Sequence, residues 1–329
     1  MDSNAASVGL IKMDPVFFIR AFFVMEAATI LLILFIPACR QRFLSYGPRG
    51  TNTAQKDDPN RRSTTVHEDN PIRAIQLFLD ELATYTVPHA WFLHFYALSV
   101  ASSLFWAYQI TTHGYLFATL TNWTDNENAH MTSAQTLIIW WCFLIQGFRR
   151  LVECIQGPKS TSRMWIGHWF VGIGFYLLAN VATWIEGCKS LLHDRPTHRT
   201  FLRAPLDILG ILDVPLALGL GVFVAGAIAQ NRAHAYLWSL RKTGTYAFPT
   251  HPLFSMTLTP HYLSECSEYI GLAIAAAPRG QYVNTTLAAV LLFVVVNLGV
   301  TANGTYDWYA TRFGRDKVQG KARMIPLIW

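Results

Sequence analysis

The chain has 329 residues, of which 52% are hydrophobic and only 14% charged. Ordinary soluble domains carry roughly 25% charged residues, so the balance, with 11 Trp, 13 Tyr and 21 Phe, excludes a soluble two-domain protein and predicts an all-α polytopic membrane protein with aromatic belts. A formal charge of +6, from 26 Lys and Arg against 20 Asp and Glu, is spread over loops without a dense basic block and argues against a nucleic-acid partner.

Windows of about 20 mostly apolar residues, the length that crosses a hydrocarbon core of about 30 Å, predict about seven transmembrane helices. In chain order they are Phe17 to Cys39, His89 to Thr112, Ala134 to Ile155, Met164 to Glu186, Pro205 to Gln230, His261 to Ala277 and Tyr282 to Ala302. The stretch before the first span, Met1 to Pro15, lacks a basic n-region, so that span is expected to stay in the mature protein. Tyr46 to Asn70 is polar and without apolar periodicity, which predicts a flexible loop. Residues 1–86 thus read as one span plus a flexible cytosolic loop, and 87–329 as the membrane core.

Basic residues set the orientation. Arg40, Arg42, Arg49, Lys56, Arg61, Arg62 and Arg73 follow the first span, whereas Thr112 to Ser133 holds no Lys or Arg. The N-terminus is therefore expected on the lumenal side and the C-terminus in the cytosol. One segment disagrees, because Lys189, Arg195, Arg199 and Arg203 would fall on the lumenal side. Three sequons accompany this topology: Asn122 in a lumenal loop, and Asn284 and Asn303 at or inside the seventh span, where glycosylation is hindered.

The five cysteines, Cys39, Cys142, Cys154, Cys188 and Cys266, show no CxxC or Cys/His spacing. A disulfide framework and a metal site of the usual pattern are therefore not expected.

Titratable groups at membrane depth are costly and suggest function. In the second span, His94 and Tyr96 stand about one turn inside the apolar run, as interfacial anchors or as catalytic donors. In the third, Gln146, Arg149, Arg150 and Glu153 share one helical face. They read either as a helix end with an intrahelical ion pair or as a cytosol-facing anion site. Gln230, His234 and Arg241 share another face. It is either an amphipathic extension at the headgroups or a phosphate-binding wall, where Arg supplies a fixed fork of donors. His261, Glu265 and Glu268 fall on one face of the sixth span, which opens with Pro260. Two acids and a His in a short apolar helix favour a functional role.

Leu240-Arg241-Lys242-x-Gly244, then Pro260-His261-Tyr262-Leu263-x-Glu265-x-x-Glu268-Tyr269, then Trp308-Tyr309-x-x-Arg312-Phe313 and Ile325-Pro326-Leu327-Ile328-Trp329 resemble, in order and spacing, the C-terminal signature of the steroid 5-alpha-reductase family. Val87-Pro88, His94-Phe95-Tyr96, the run Phe148 to Cys154, and Gln230 with His234 resemble its polyprenal reductase branch. The resemblance covers about Pro88 to Trp329, plus a weaker Tyr46-Gly47. It implies a seven-helix reductase of the endoplasmic reticulum membrane, with an NADPH-binding region over about 200–329 and a long-chain isoprenoid substrate drawn from the bilayer.

By that resemblance the cofactor-contacting positions are Tyr46, Gln230, His234, Arg241, Tyr246, His261, Glu265 and Tyr309. Arg149 and Glu268 join them from the polar faces above. The Glu and Tyr that hold a steroid ketone elsewhere in the family are replaced by Phe95 and Gln146, which disfavours a steroid ketone. A family His is replaced in the neighbourhood of Thr305 and Tyr306.

Hydride adds poorly to an isolated C=C but well to one conjugated with an aldehyde. This chemistry favours polyprenal over polyprenol as substrate, and the resemblance implies that the product, dolichal, serves dolichol synthesis for protein N-glycosylation. His94, Tyr96 and Gln146 are the expected donors to the developing enolate. Other readings are a membrane enoyl or sterol reductase, an isoprenylcysteine methyltransferase using S-adenosylmethionine, and a lipid transporter or receptor. No protein partner is identifiable.

Overall fold

The computed structural model describes residues 14–44, 71–125, 131–158, 160–241 and 247–329. The expected loop from Tyr46 to Asn70, and the candidates Tyr46 and Tyr246, lie outside the described residues.

The described residues are mostly helical. In order the chain forms α1 (Pro15–Phe35), α2 (Pro37–Phe43), α3 (Pro71–Thr84), β1 (Thr86–Pro88), α4 (Phe92–Thr111), α5 (Tyr115–Trp123), α6 (Ser133–Gln156), β2 (Arg163–Trp165) and α7 (Ile166–Ala182). There follow α8 (Cys188–Asp194), α9 (His198–Arg203), α10 (Val214–Arg241), α11 (Pro260–Ala275), α12 (Thr285–Phe313) and α13 (Arg315–Val318). Among the described residues, five stretches are long and apolar enough to cross a membrane: Pro15–Phe35, His89–Thr111, Ile166–Asp194, Val214–Arg241 and Thr285–Phe313.

Local chemistry sets the ends of these helices. Asp14 accepts from the Val16 amide at 3.0 Å, with Pro15 in the first turn of α1. Asn284 caps α12 through the Leu287 amide at 2.9 Å. Such caps satisfy backbone donors that a helix start leaves unpaired. Gly314, with φ of 97°, ends α12, a conformation that costs glycine little.

Three elements depart from the sequence expectation. The fifth span was expected at Pro205 to Gln230, yet α10 starts at Val214 and runs to Arg241. Residues 204–213 are apolar enough to mimic a span, but Pro205, Asp207, Gly210 and Asp213 break them into turns and a short 3₁₀ segment. The loop between the second and third spans contains α5, which carries the exposed sequon residue Asn122. Inside the expected cytosolic loop lies α3, where Ile72, Ile75, Phe78, Leu79 and Leu82 recur at helical spacing with Ile72, Ile75 and Phe78 exposed. Its polar face is tied to α2 by Arg42 Nε donating to Asp80 Oδ1 at 2.6 Å.

The helices pack as one bundle. α12 lies against α1, α11 and α7; α4 lies between α6 and α7; and α10 packs along α11. The α10–α11 contact is backbone on backbone. A methyl group at Gly219 would stand 2.6 Å from the Gly271 carbonyl oxygen, and one at Gly271 would stand 2.6 Å from that of Gly219. Rings fill the centre. Phe23 of α1 meets Phe175 of α7 at 5.8 Å and Phe293 of α12 at 6.1 Å, and Phe175 stacks on Phe293 at 5.3 Å.

At one end of the bundle, Arg20 of α1 donates through Nη2 to Glu186 at 3.0 Å and through Nε to Thr286 Oγ1 at 2.9 Å. The Thr286 amide donates to the same Glu186 oxygen at 3.0 Å. This clamp joins α1, the turn after α7 and the start of α12. At the opposite end β1 and β2 pair antiparallel, with Val87 opposite Met164, so α4 and α7 start side by side. That end carries the site.

Candidate active site

The bundle encloses a cavity of about 950 Å³, at the upper end of the roughly 300–1,000 Å³ usual for ligand and cofactor sites. Its walls differ in chemistry. α6, α10 and α11 contribute Arg150, Glu153, His234, Arg241, His261 and Glu265, whereas α1 and α7 contribute mostly apolar side chains and glycines such as Ile30, Gly167, Val171 and Gly172. α4 brings Tyr96, and α12 runs from Phe293 to Thr305, Trp308 and Tyr309.

The polar wall is organised around Glu153. Its carboxylate accepts from the guanidiniums of Arg149 and Arg150, from Asn231 Nδ2 at 2.8 Å, and lies 3.0 Å from His234 Nδ1. Four neighbours on one buried carboxylate fix its orientation, since a buried charge is tolerated when paired and hydrogen-bonded. Arg150 also donates through Nη2 to the Tyr96 hydroxyl oxygen at 2.9 Å, with its charge 4.8 Å above the Tyr96 ring. The Tyr96 oxygen thus accepts from Arg150 and keeps its own proton for another acceptor.

A second layer lies beneath. Arg149 donates to Gln146 Oε1 at 2.8 Å and to Gln230 Oε1. Gln146 Nε2 donates to the same Gln230 oxygen at 3.1 Å, and Gln230 Nε2 donates to Glu265 Oε2 at 2.9 Å. Gln230 is 0% exposed and Glu268 1%, so neither reaches the cavity. A Glu268 oxygen stands 3.5 Å from Arg149 Nη2. Its helix comes this near because Gly226 has no side chain: a methyl there would stand 2.8 Å from the Ser264 carbonyl and 3.1 Å from Glu268 Cγ.

The sequence-predicted residues therefore separate into three groups. Tyr96, His234, Arg241, His261, Glu265 and Tyr309 line the cavity. Gln146, Arg149, Gln230 and Glu268 form the layer that holds them. His94 is apart: it is exposed on the outer side of α4, accepting from Trp169 Nε1 at 3.3 Å, because it is two residues from Tyr96 and a helix turns neighbours two apart to different faces. Of the pair offered for the missing family His, Thr305 lines the cavity, whereas Tyr306 packs under Arg323, whose charge is 4.9 Å from its ring.

Sequence reasoning missed the central part of Glu153, which it treated as one member of a helix face, and the reach of Arg150 to Tyr96. It missed Glu26 and Asn297, which also line the cavity from α1 and α12. A lone Glu in the middle of the first apolar run was a signal that could have found the former.

Residues 210–329 match the family model for 3-oxo-5-alpha-steroid 4-dehydrogenase. That region supplies α10, α11 and α12, and with them His234, Arg241, His261, Glu265 and Tyr309. Longer likenesses extend beyond that region. The polyprenal reductase 1 of Oryza sativa subsp. indica is 24% identical over 295 residues, covering 75% of this chain and 80% of that protein. The polyprenal reductase of Saccharomyces cerevisiae is 27% identical over 255 residues, covering 76% and 78%.

The chain is therefore similar to the steroid 5-alpha-reductase family in its C-terminal region and to polyprenal reductases over about three quarters of its length. It is a membrane reductase acting on a C=C bond, and its relatives with this coverage carry the name polyprenal reductase. The polyprenal reductase 2 of Arabidopsis thaliana is 31% identical over a shorter 193 residues, 51% of this chain and 54% of that protein. Among the described residues no group of His, Cys, Asp or Glu is placed to hold a metal ion.

Proposed function

We propose that this reductase saturates the C=C bond next to the aldehyde of a long isoprenoid, polyprenal, with NADPH as reductant, in the endoplasmic reticulum membrane on the route to dolichol. The observation that carries the reading is the Tyr96–Arg150 pair, a hydroxyl supported by a largely buried cation and facing a cavity whose α1 and α7 side is mostly apolar.

The lining fits a phosphate-bearing dinucleotide. Arg241 has no carboxylate partner among the described residues and lines the cavity with Trp238, Thr305, Trp308 and Tyr309, a set of cation, hydroxyls and ring faces suited to phosphate, ribose and base. Arg241 would hold a phosphate, and Glu265, oriented by Gln230, would accept from a carboxamide or ribose donor. When bound, NADPH supplies a hydride to the β carbon of the enal.

The protein's own contribution is placement of charge and proton. Tyr96 donates its proton to the aldehyde oxygen as negative charge gathers there, and tautomerisation of the resulting enol leaves the saturated aldehyde. Arg150 stabilises the developing charge through the same hydroxyl, in a preorganised site that excludes bulk water. Glu153 and Gln146 act one step back: Glu153 fixes Arg150, and Gln146 fixes Arg149 and Gln230.

In this reading α6 and α11 complete a seven-helix bundle with the five longer apolar stretches. α6 is less apolar because Gln146, Arg149, Arg150 and Glu153 face the network, and α11 is shorter because it starts at Pro260 inside the polar end. The N-terminus is then lumenal and the polar end cytosolic. The segment with Lys189, Arg195, Arg199 and Arg203 packs at the far end, where Ser133 Oγ donates to Asp194 at 2.7 Å, and is the lumenal exception to the charge rule.

The test is NADPH oxidation by detergent-purified protein with polyprenal, polyprenol and a steroid enone in parallel. Turnover of polyprenal alone supports the reading. Turnover of the steroid alone, or binding of S-adenosylmethionine without NADPH oxidation, overturns it.

A further inference from the structure

Tyr96 borders a second space besides the large cavity. This smaller chamber has a volume of about 10 Å³, room for about one water molecule. Ser99 of α4 and Gly147 of α6 line it, together with Tyr96, Arg150 and Glu265, which line the large cavity as well.

The chamber holds a hydroxyl with nothing to bond. Ser99 is 1% exposed, and its Oγ has no hydrogen-bond partner among the described residues. A serine inside a helix can donate to the carbonyl four residues back, as Ser103, Ser264 and Ser267 do at 2.9, 2.8 and 3.0 Å. Ser99 makes no such bond. One turn further along α4 the polar groups are satisfied: Ser103 Oγ donates to Asn180 Oδ1 at 2.7 Å, and Trp140 Nε1 donates to the Ser103 carbonyl at 3.0 Å. The Ser99 hydroxyl instead meets the room that Gly147 leaves, since a methyl group at Gly147 would stand 2.7 Å from its oxygen. A buried hydroxyl without a partner is costly, and water is the group that both fits this volume and bonds it. Ser99 and Tyr96 are three residues apart and so share one face of α4. With Glu265 on α11 they give a water three polar neighbours, the usual number for a buried one.

Such a water has a use in the reaction. Tyr96 gives its proton to the aldehyde oxygen, which leaves a tyrosinate beside Arg150. Its cavity side is covered while product or the next enal is bound, whereas the chamber reaches Tyr96 from the protein side. Glu265 borders both spaces and is held by Gln230 at 2.9 Å.

We propose that Ser99 positions one water molecule between Tyr96 and Glu265, and that this water returns the proton to Tyr96 after each turnover. Once the oxidised cofactor has left, the Glu265 carboxylate takes a proton from cytosolic water entering the large cavity. The chamber water then breaks one O–H bond to reprotonate the tyrosinate and receives the Glu265 proton in its place. One solvent proton is consumed per enal reduced, and the water and Glu265 end as they began. This rests on the reading of the protein as an enal reductase with Tyr96 as its acid. Ser99 is a positioning residue in this scheme, since it acts through the water.

The test compares the wild type with Ser99→Ala in detergent. Stopped-flow NADPH oxidation with polyprenal, at enzyme and NADPH concentrations that resolve the first turnover, is followed in H2O and D2O, and thermal unfolding is measured alongside. The expected result for Ser99→Ala is a first turnover at the wild-type rate and later turnovers about 10-fold slower, less than the loss of a general acid because Tyr96 itself remains. Those later turnovers should carry a larger solvent deuterium isotope effect than the wild type. The unfolding temperature should not rise. A rise shows that the substitution removed a dry, unbonded hydroxyl and overturns the water site. Equal slowing of the first and later turnovers assigns Ser99 to the packing of Tyr96 and overturns the relay, as does a variant that matches the wild type in both phases. Absence of polyprenal turnover in the wild type refutes the enal-reductase reading and the relay with it, while the unfolding comparison still decides whether the chamber holds water.

Discussion

The two sides of the cavity are built by opposite means. On the side of α6, α10 and α11, Glu153, Arg149, Arg150, Gln146, Gln230 and His234 fix one another through a connected set of hydrogen bonds, and α10 meets α11 through backbone at Gly219 and Gly271. On the side of α1, α7 and α12, ring contacts and small residues shape the wall. Gly172 is filled by the Phe95 ring, into which any side chain at that position would run. Hydrogen bonds fix direction as well as distance, whereas dispersion contacts are individually weak and undirected. The first side can therefore present a proton and a phosphate-binding cation at fixed points, and the second can adapt to the shape of a lipid.

Breaking the rigid side at its centre should cost most. Glu153→Ala leaves two guanidiniums without their shared acceptor, and removing one partner of a buried ion pair typically costs about 3–5 kcal/mol. The expected outcome is a large drop in thermal unfolding temperature in detergent, with Glu153→Gln intermediate because it keeps two acceptor lone pairs. If Glu153→Ala melts like the wild type, the network is ornamental and the contrast between the walls fails.

Removing only the proton should spare the fold. Tyr96→Phe is expected to lower kcat about 100-fold, within the range of lost general-acid catalysis, with NADPH affinity and unfolding temperature close to wild type. A loss confined to KM would move the Tyr96 hydroxyl from chemistry to binding. At the mouth of the cavity, Arg241→Ala is expected to raise KM for NADPH about 10-fold, the scale of one charge-assisted contact, while kcat at saturation changes little.

The smallest effect is expected at His94. It lies on the far face of α4 from the cavity, so His94→Ala should keep kcat/KM within about 2-fold. A drop as large as that of Tyr96→Phe would restore it to the site.

Much of the polar wall was legible because helical spacing survives in sequence. His261, Glu265 and Glu268 at i, i+4 and i+7, and Gln146 to Glu153 on α6, each mark one face. Spacing says which residues share a face, but it does not say which end inside the cavity and which beneath it. That depended on Gly226, whose missing side chain lets Glu268 lie buried against α10. His94 misled for the same reason, since proximity to Tyr96 in sequence concealed a different direction in space. The bounds of α10 were lost because hydropathy sums apolar content and is blind to the turn-forming Pro205, Asp207, Gly210 and Asp213. Glu26 and Asn297 each stood alone in an apolar run, and only the packing of α1 and α12 around the cavity brings both to its wall.

The Arg20–Glu186–Thr286 clamp bears on how the protein is made. Arg20 leaves the ribosome before its carboxylate partner, which follows 166 residues later. Until then the guanidinium has to reach toward the bilayer surface, because an unpaired cation is poorly tolerated in hydrocarbon. Thr286, 266 residues from Arg20, comes later still. α1 thus inserts well before it can be seated, and the cavity it helps wall closes only once α12 has arrived.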